Sequence, residues 1–220
     1  MERKRLLKIV RFVYKTLALT EFIGTENIPA VGGIILATNH MSRADVPLLM
    51  LTPNRPDMLA LAADKYKKHP IFSIILNAAD VIWLDREKAD FSALTLARQY
   101  IQNGGAIGIA PEGTRSKTGT LIEGKAGTAL LAARANCPII PVGITGTETA
   151  VKKLFTFHRP KLVVRYGKVF KLPPFSQDDR TVWLSKCTDE IMCHIAALLP
   201  ENYRGFYKDH PRLQELLNTC

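Results

Sequence analysis

GGIILATNHMSRADVPLLML, residues 32–51, decides how this chain folds. Gly32–Thr38 is an apolar run of strand length and reads as a buried strand. A second apolar pattern opens at Asp45, with Pro47 in the first helical turn, where its missing N–H costs nothing. Between the two lies NHMSRAD, which places His40 and Asp45 five residues apart. On one helix, five steps of about 100° would turn the pair roughly 140° from each other. They meet only if His40 sits in a loop and Asp45 begins the following helix. The stretch is therefore read as strand, loop and helix, with two chemically active side chains at the join.

The same alternation continues outward. MLALAA (58–63), DVIWL (80–84), AIGIA (106–110), PIIPVGIT (138–145) and KLVVRYG (161–167) read as further strands. Helical patterns separate them. HPIFSIILNA follows the second strand. ADFSALTLARQYIQNGG carries apolar residues at 91, 94, 97 and 101 and stops at Asn103-Gly104-Gly105. AGTALLAARANC is a small-residue helix. After KLPPFSQDD, read as a linker, TVWLSKCTDEIMCHIAALLP is amphipathic, with His194 among its packing residues, and the last twenty residues read as a closing helix or a partly ordered end. The expected class is α/β: a mixed, largely parallel central sheet with helices on both faces, plus an N-terminal amphipathic helix. Two units are expected, a membrane-contacting helix over 1–20 and a single α/β domain over 21–220.

In residues 1–20, Lys4, Lys8, Arg11 and Lys15 recur at helical spacing, and Leu6, Val10, Val13 and Leu17 recur on the roughly opposite side. Such a helix can lie among anionic headgroups. It can equally pack on the domain and meet lipid with its outer edge. Its removal is expected to cost vesicle binding more than stability. The whole chain carries 30 basic and 20 acidic residues, a net charge of +10, and so seeks anions. Aromatics are 8% of the chain and no nucleic-acid-binding motif accompanies the charge, so nucleic acid is not an expected partner. Cys137, Cys187, Cys193 and Cys220 show no C-x-x-C spacing, which argues for reduced thiols and against a metal site. No apolar run reaches the ~18 residues of a membrane span, and no signal-peptide pattern opens the chain. The expected location is peripheral, on the cytoplasmic face of a membrane.

Ligand sites of α/β sheets lie at strand ends, in loops that lead into helices. Four segments fall there: NHMSRAD, LDR (84–86), APEGTRS (110–116) and the strand start CPIIPV. An imidazole, with an ordinary pKa of about 6.5, accepts a proton at neutral pH. A carboxylate on its other nitrogen fixes the tautomer and steadies the imidazolium. His40 and Asp45 thus form a candidate general-base dyad, and a substrate that brings its own hydroxyl needs no protein nucleophile. Ser42, inside the loop, is read as structural. In EGTRS a glycine, a hydroxyl and Arg115 supply the parts of an anion cradle, and Arg86 offers a second guanidinium, a pair suited to a phosphate monoester. GTLIEGKAG (119–127) lacks the spacing of a nucleotide P-loop, which excludes an ATPase.

NHMSRAD, DVIWLDR, IAPEGTRS and CPIIPVGI resemble, in this order, the four blocks of the glycerolipid acyltransferases, specifically the 1-acylglycerol-3-phosphate acyltransferases, with NHMSRAD as the N-H-x4-D block. Asp80 and Leu84 depart from the glycine and isoleucine common in the second block, and Ala110 replaces an aromatic in the third. The resemblance implies transfer of an acyl group from acyl-CoA or acyl carrier protein to the free hydroxyl of 1-acylglycerol 3-phosphate, giving phosphatidic acid. It implies no resident cofactor. His40 would take the hydroxyl proton and Asp45 would orient it. Glu112, Gly113, Thr114 and Arg115, with Arg86 and Lys65, would hold the phosphate. The Pro141-Val142 region is expected to steady the oxyanion. Glycerol 3-phosphate or another lysophospholipid is the alternative acceptor, and the same dyad acting on water would make a hydrolase.

Overall fold

The computed structural model describes residues 2–85, 90–175 and 179–219. In chain order the helices and strands are α1 (Arg3–Leu17), β1 (Leu19–Ile23), β2 (Ile34–Thr38), α2 (Asp45–Leu49), β3 (Leu59–Ala63), α3 (Pro70–Ala78), β4 (Ile82–Leu84), α4 (Phe91–Gln102), β5 (Ala106–Ile109), α5 (Gly127–Ala135), β6 (Ile139–Thr145), α6 (Ala150–Phe155), β7 (Lys161–Tyr166), α7 (Arg180–Ala197) and α8 (Pro211–Asn218). The strands form one sheet in the order β1-β7-β6-β2-β5-β3-β4. Every adjacent pair is parallel except β6 and β7. The carboxyl ends of β2 to β6 therefore share one edge of the sheet with the amino ends of β1 and β7.

β2 shows why the sheet is covered on both sides. Ile34 and Leu36 point into one apolar core, shared with Leu6 of α1, Leu48 and Leu49 of α2 and Ala78 of α3. Ile35 and Ala37 point into a second, shared with Ala97 and Ile101 of α4, Ala129 and Ala132 of α5 and Ile191 of α7. A strand buried on both faces needs the continuous apolar run that GGIILAT supplies. The stop of α4 forms as its sequence predicts. Gly104 takes a left-handed φ of 90°, and the amides of Gly104 and Gly105 close on the carbonyls of Ile101 and Tyr100.

Two elements differ from the sequence reading. The N-terminal helix ends at Leu17, and LTEFI forms the edge strand β1, so a boundary after residue 20 would cut a strand paired with β7. The helix is also docked firmly. Leu6 is buried, and Leu7, Val10 and Tyr14 pack on the same core. Arg3 donates to the carbonyls of Ala79 and Met58, and Arg159 donates to those of Lys15 and Ala18 at 2.7 Å each. The apolar residues left outward are Ile9, Phe12, Val13 and Leu17. Removing residues 1–20 would therefore unravel one sheet edge as well as any lipid contact. α6 also forms between β6 and β7. His194 packs as expected, stacked on Phe170 at 4.1 Å and bonded to Glu190 at 3.0 Å.

Candidate active site

The loop between β2 and α2 brings His40 and Asp45 together, with Nδ1 of His40 3.0 Å from Oδ2 of Asp45. The bend is stabilised by the same carboxylate. Oδ2 also accepts the backbone amides of Met41 and Ser42, each at 2.7 Å. Oδ1 accepts the hydroxyl of Thr147, which lies just past the end of β6. Asp45 is buried, and the two amides and the Thr147 hydroxyl donate to it. An anionic carboxylate so placed fixes the proton of His40 on Nδ1. It leaves Nε2, with its lone pair, as the nitrogen available to a substrate. His40 retains 15% side-chain exposure, enough to be reached.

A second carboxylate ties this loop to the next strand. Glu112 accepts the amide of His40 at 2.7 Å on Oε1 and that of Ile122 at 3.0 Å on Oε2, and the carbonyl of His40 accepts the amide of Ser116 at 2.8 Å. β2 and β5 are neighbours, which brings residues 72 positions apart into contact. Burial pushes the Glu112 carboxyl up to about 7, against the pull of the two amides, and the Asp45 charge adds to the rise. The expected place of Glu112 among the phosphate ligands is thus corrected: both its oxygens are spent on backbone amides, and its side chain anchors the dyad loop.

The dyad opens on a cleft of about 290 Å³ at the carboxyl edge of the sheet. β3 pairs with β5 only through Leu59 and Ala60, then leaves it to pair with β4. Where they part, Leu61 and Ile109 face the opening. Leu49 closes it on the α2 side, and Leu94 and Leu131 close it on the side of α4 and α5. The interior is apolar, with His40, Asp45 and Lys125 among its polar members. Gly113 has a φ of 68°, and a Cβ there would come within 3.0 Å of Cδ of Lys125, so the lysine stem crosses the glycine.

The remaining expected site residues lie around this cleft. Gly113 lines it, whereas Thr114 and Arg115 are exposed on the rim just beyond, and Arg115 makes no ion pair among the described residues. Lys65 is exposed at the end of β3, with Nζ 5.6 Å from the centre of the Tyr66 ring. Arg86 lies outside the described residues; its flanks, Asp85 and Asp90, both line the cleft. Pro141 and Val142 are buried within β6 between β2 and β7, away from the cleft, so the expected oxyanion position is not theirs. The sequence does not single out Thr147, which no motif marks, or Lys125, which stands in the GTLIEGKAG stretch without P-loop spacing. No group of three His, Cys, Asp or Glu able to hold a metal occurs among the described residues.

An imidazole held by a buried carboxylate thus stands at the carboxyl edge of an α/β sheet, over an apolar cleft with a cation beside it. Residues 20–145, more than half of the chain, match the family model for Acyltransferase, and the chain belongs to that family. It is 29% identical over 137 residues to the 1-acyl-sn-glycerol-3-phosphate acyltransferase of Borreliella burgdorferi, covering 61% of this chain and 54% of that one. With the protein of the same name from Saccharomyces cerevisiae it is 29% identical over 177 residues, covering 77% and 57%. The chain thus spans somewhat more than half the length of these relatives. The crystal structure of the PlsC acyltransferase from Thermotoga maritima has the same fold, with a TM-score of 0.66 over 84% of this chain and 76% of that one at 23% identity.

Proposed function

We propose that the chain transfers a fatty acyl group from a thioester to the free hydroxyl of 1-acylglycerol 3-phosphate, forming phosphatidic acid. The observation that carries this reading is the Asp45-held His40 facing an apolar cleft with Lys125 at its side. Nε2 of His40 takes the hydroxyl proton as the oxygen attacks the thioester carbonyl carbon. The tetrahedral intermediate collapses, the C–S bond breaks, and the thiolate leaves with the proton held on the imidazolium. No acyl-enzyme is needed, and the catalytic gain comes from base catalysis and from holding hydroxyl against carbonyl. The cleft suits an acyl chain. Lys125 reaches the acceptor phosphate from inside, with Thr114, Arg115 and Lys65 as the hydroxyl and cations of the rim, and Arg86 is a further cation of this reading. Acyl-CoA and acyl carrier protein both present the required thioester, and no resident cofactor enters the step.

The acceptor is an amphiphile, and the reading places the enzyme peripherally on the cytoplasmic face of an anionic membrane, met by α1. No helix among the described residues is long and apolar enough to cross a membrane. The test is purified protein with each thioester donor and a panel of acceptors, the products read by lipid mass spectrometry. Phosphatidic acid from 1-acylglycerol 3-phosphate is expected. Product from glycerol 3-phosphate or another lysophospholipid alone would move the acceptor, and release of free fatty acid alone would make the chain a hydrolase.

A further inference from the structure

The segment AVKKLFTFHRPK, residues 150–161, lies beyond the part of the chain that matches the family model. It forms α6 and the turn into β7, and its apolar side chains face outward. Phe157 is fully exposed, Phe155 is 81% exposed, and Val151 and Leu154 are exposed beside them. The turn is ordered by its own hydrogen bonds. The amide of Phe157 closes on Leu154, that of His158 on Lys153, and the Thr156 hydroxyl bonds the Lys153 carbonyl at 2.9 Å. This is the same closure that ends α4, yet the left-handed position that Gly104 fills there is filled here by Phe157, with φ of 57°. A bulky side chain is unfavourable at such a φ, and glycine is the usual occupant. Packing does not compensate, because the ring touches solvent on all sides. A backbone outlier with no structural return points to a use.

We propose that this turn is a second bilayer-contact element, continuous with α1, which inserts Phe155 and Phe157 among anionic lipids. The charge around it fits: Lys152, Lys153, Arg159 and Lys161 fall within residues 150–161, and no acidic residue does. Lys161 pairs with Glu21 at 3.3 Å and Arg159 is bonded to the Lys15 and Ala18 carbonyls, which leaves Lys152 and Lys153 as the cations of the segment without such a partner among the described residues. Arg159 joins the turn to the end of α1 through the carbonyls of Lys15 and Ala18, and the Leu19 amide bonds the Pro160 carbonyl at 2.9 Å. The exposed Val13, Leu17 and Leu19 thus run up to the turn. The surface stands at the site's edge of the sheet, since Thr147, three residues before α6, holds Asp45. Apolar side chains flanked by lysines, on a hydrogen-bonded turn at the same edge of the sheet as a site for an amphiphile, suit a lipid surface. This inference rests on the lipid acceptor proposed above.

The test is sedimentation of the full chain with vesicles of phosphatidylcholine and phosphatidylglycerol in equal parts, comparing the unchanged protein with the Phe155→Ala, Phe157→Gly double variant. Partitioning is expected to fall about tenfold or more, the scale of two buried aromatic side chains. The glycine relieves the turn, so the thermal midpoint should hold or rise. The ratio of turnover on vesicle-borne acceptor to turnover on a soluble short-chain acceptor should fall with it. Equal partitioning of both proteins would overturn the proposal. So would a dimer of the unchanged protein in solution that the double variant loses, since a second copy would then cover the rings. If the unchanged protein acylates neither acceptor, the functional reading fails and the sedimentation comparison still decides the contact.

Discussion

Two buried charged clusters occupy opposite edges of the sheet. At the amino edge, the guanidinium of Arg55 forks onto both carboxyl oxygens of Asp57 and donates to the carbonyls of Gly32 and Gly104, which precede β2 and β5. The Arg55 hydrogen bond holds the Asp57 carboxyl below its ordinary range, and Asp57 also accepts the amide of Ala106. At the carboxyl edge, Asp45 and Glu112 are as deeply buried as Arg55 and as well bonded, whereas Asp57 keeps 38% of its side chain exposed. The difference lies in what is left over. The Arg55 cluster consumes its donors in the backbone and opens on no described cleft. The Asp45 cluster ends in an imidazole whose second nitrogen faces one. Burial of charge marks both edges; an open valence over a cavity marks only the site.

Arg55→Met tests the closed cluster with the largest expected cost to stability. It leaves the carbonyls of Pro29, Gly32 and Gly104 and the carboxylate of Asp57 without the Arg55 donor, and unfolding in urea should show a loss of about 2–4 kcal/mol. Turnover per folded molecule should stay near that of the unchanged protein. A comparable loss of turnover would mean that the amino edge also shapes the site.

Glu112→Ala tests the anchor of the open cluster. The two orphaned amides, of His40 and of Ile122, should together cost about 1–3 kcal/mol. The same carboxyl gives a pH dependence of definite sign. Its pKa rises from 4.5 to about 7 on folding, so the folded state holds the proton more tightly. Its contribution is full below pH 4.5, is lost as pH rises through 7, and stays flat above. Unfolding curves across this window should lose that slope in Glu112→Gln. A slope unchanged in the variant would place its source elsewhere.

The smallest effect separates the inner cation from the rim. Lys125→Ala should raise the acceptor KM about tenfold, the scale of one hydrogen bond to a charged group, with less change in kcat. Arg115→Ala should raise it less, because Arg115 stands further out. The reverse order would move the phosphate to the rim.

The elements legible in the sequence were those with a strong local signal. GGIILAT announced β2, and the five-residue spacing of His40 and Asp45 announced a bend, because no helix lets the two meet. What stayed hidden depends on strand order. β3 and β4 intervene between β2 and β5 in sequence but not in the sheet, so nothing local told that Glu112 would reach the His40 amide. Thr147 is 102 residues from Asp45 and carries no pattern of its own. β1 carries no such signal: the expected helix takes in its first two residues, Leu19 and Thr20, and Glu21–Ile23 fall to no element, because LTEFI is short and has the weak alternation of an edge strand.

The measurement that bears most directly on the dyad is thiol release from the thioester donor by His40→Ala, with 1-acylglycerol 3-phosphate saturating and its binding followed separately. Turnover should fall by about 10²-fold or more while the acceptor still binds with its former affinity. Turnover that survives in the purified variant would contradict His40 as the base.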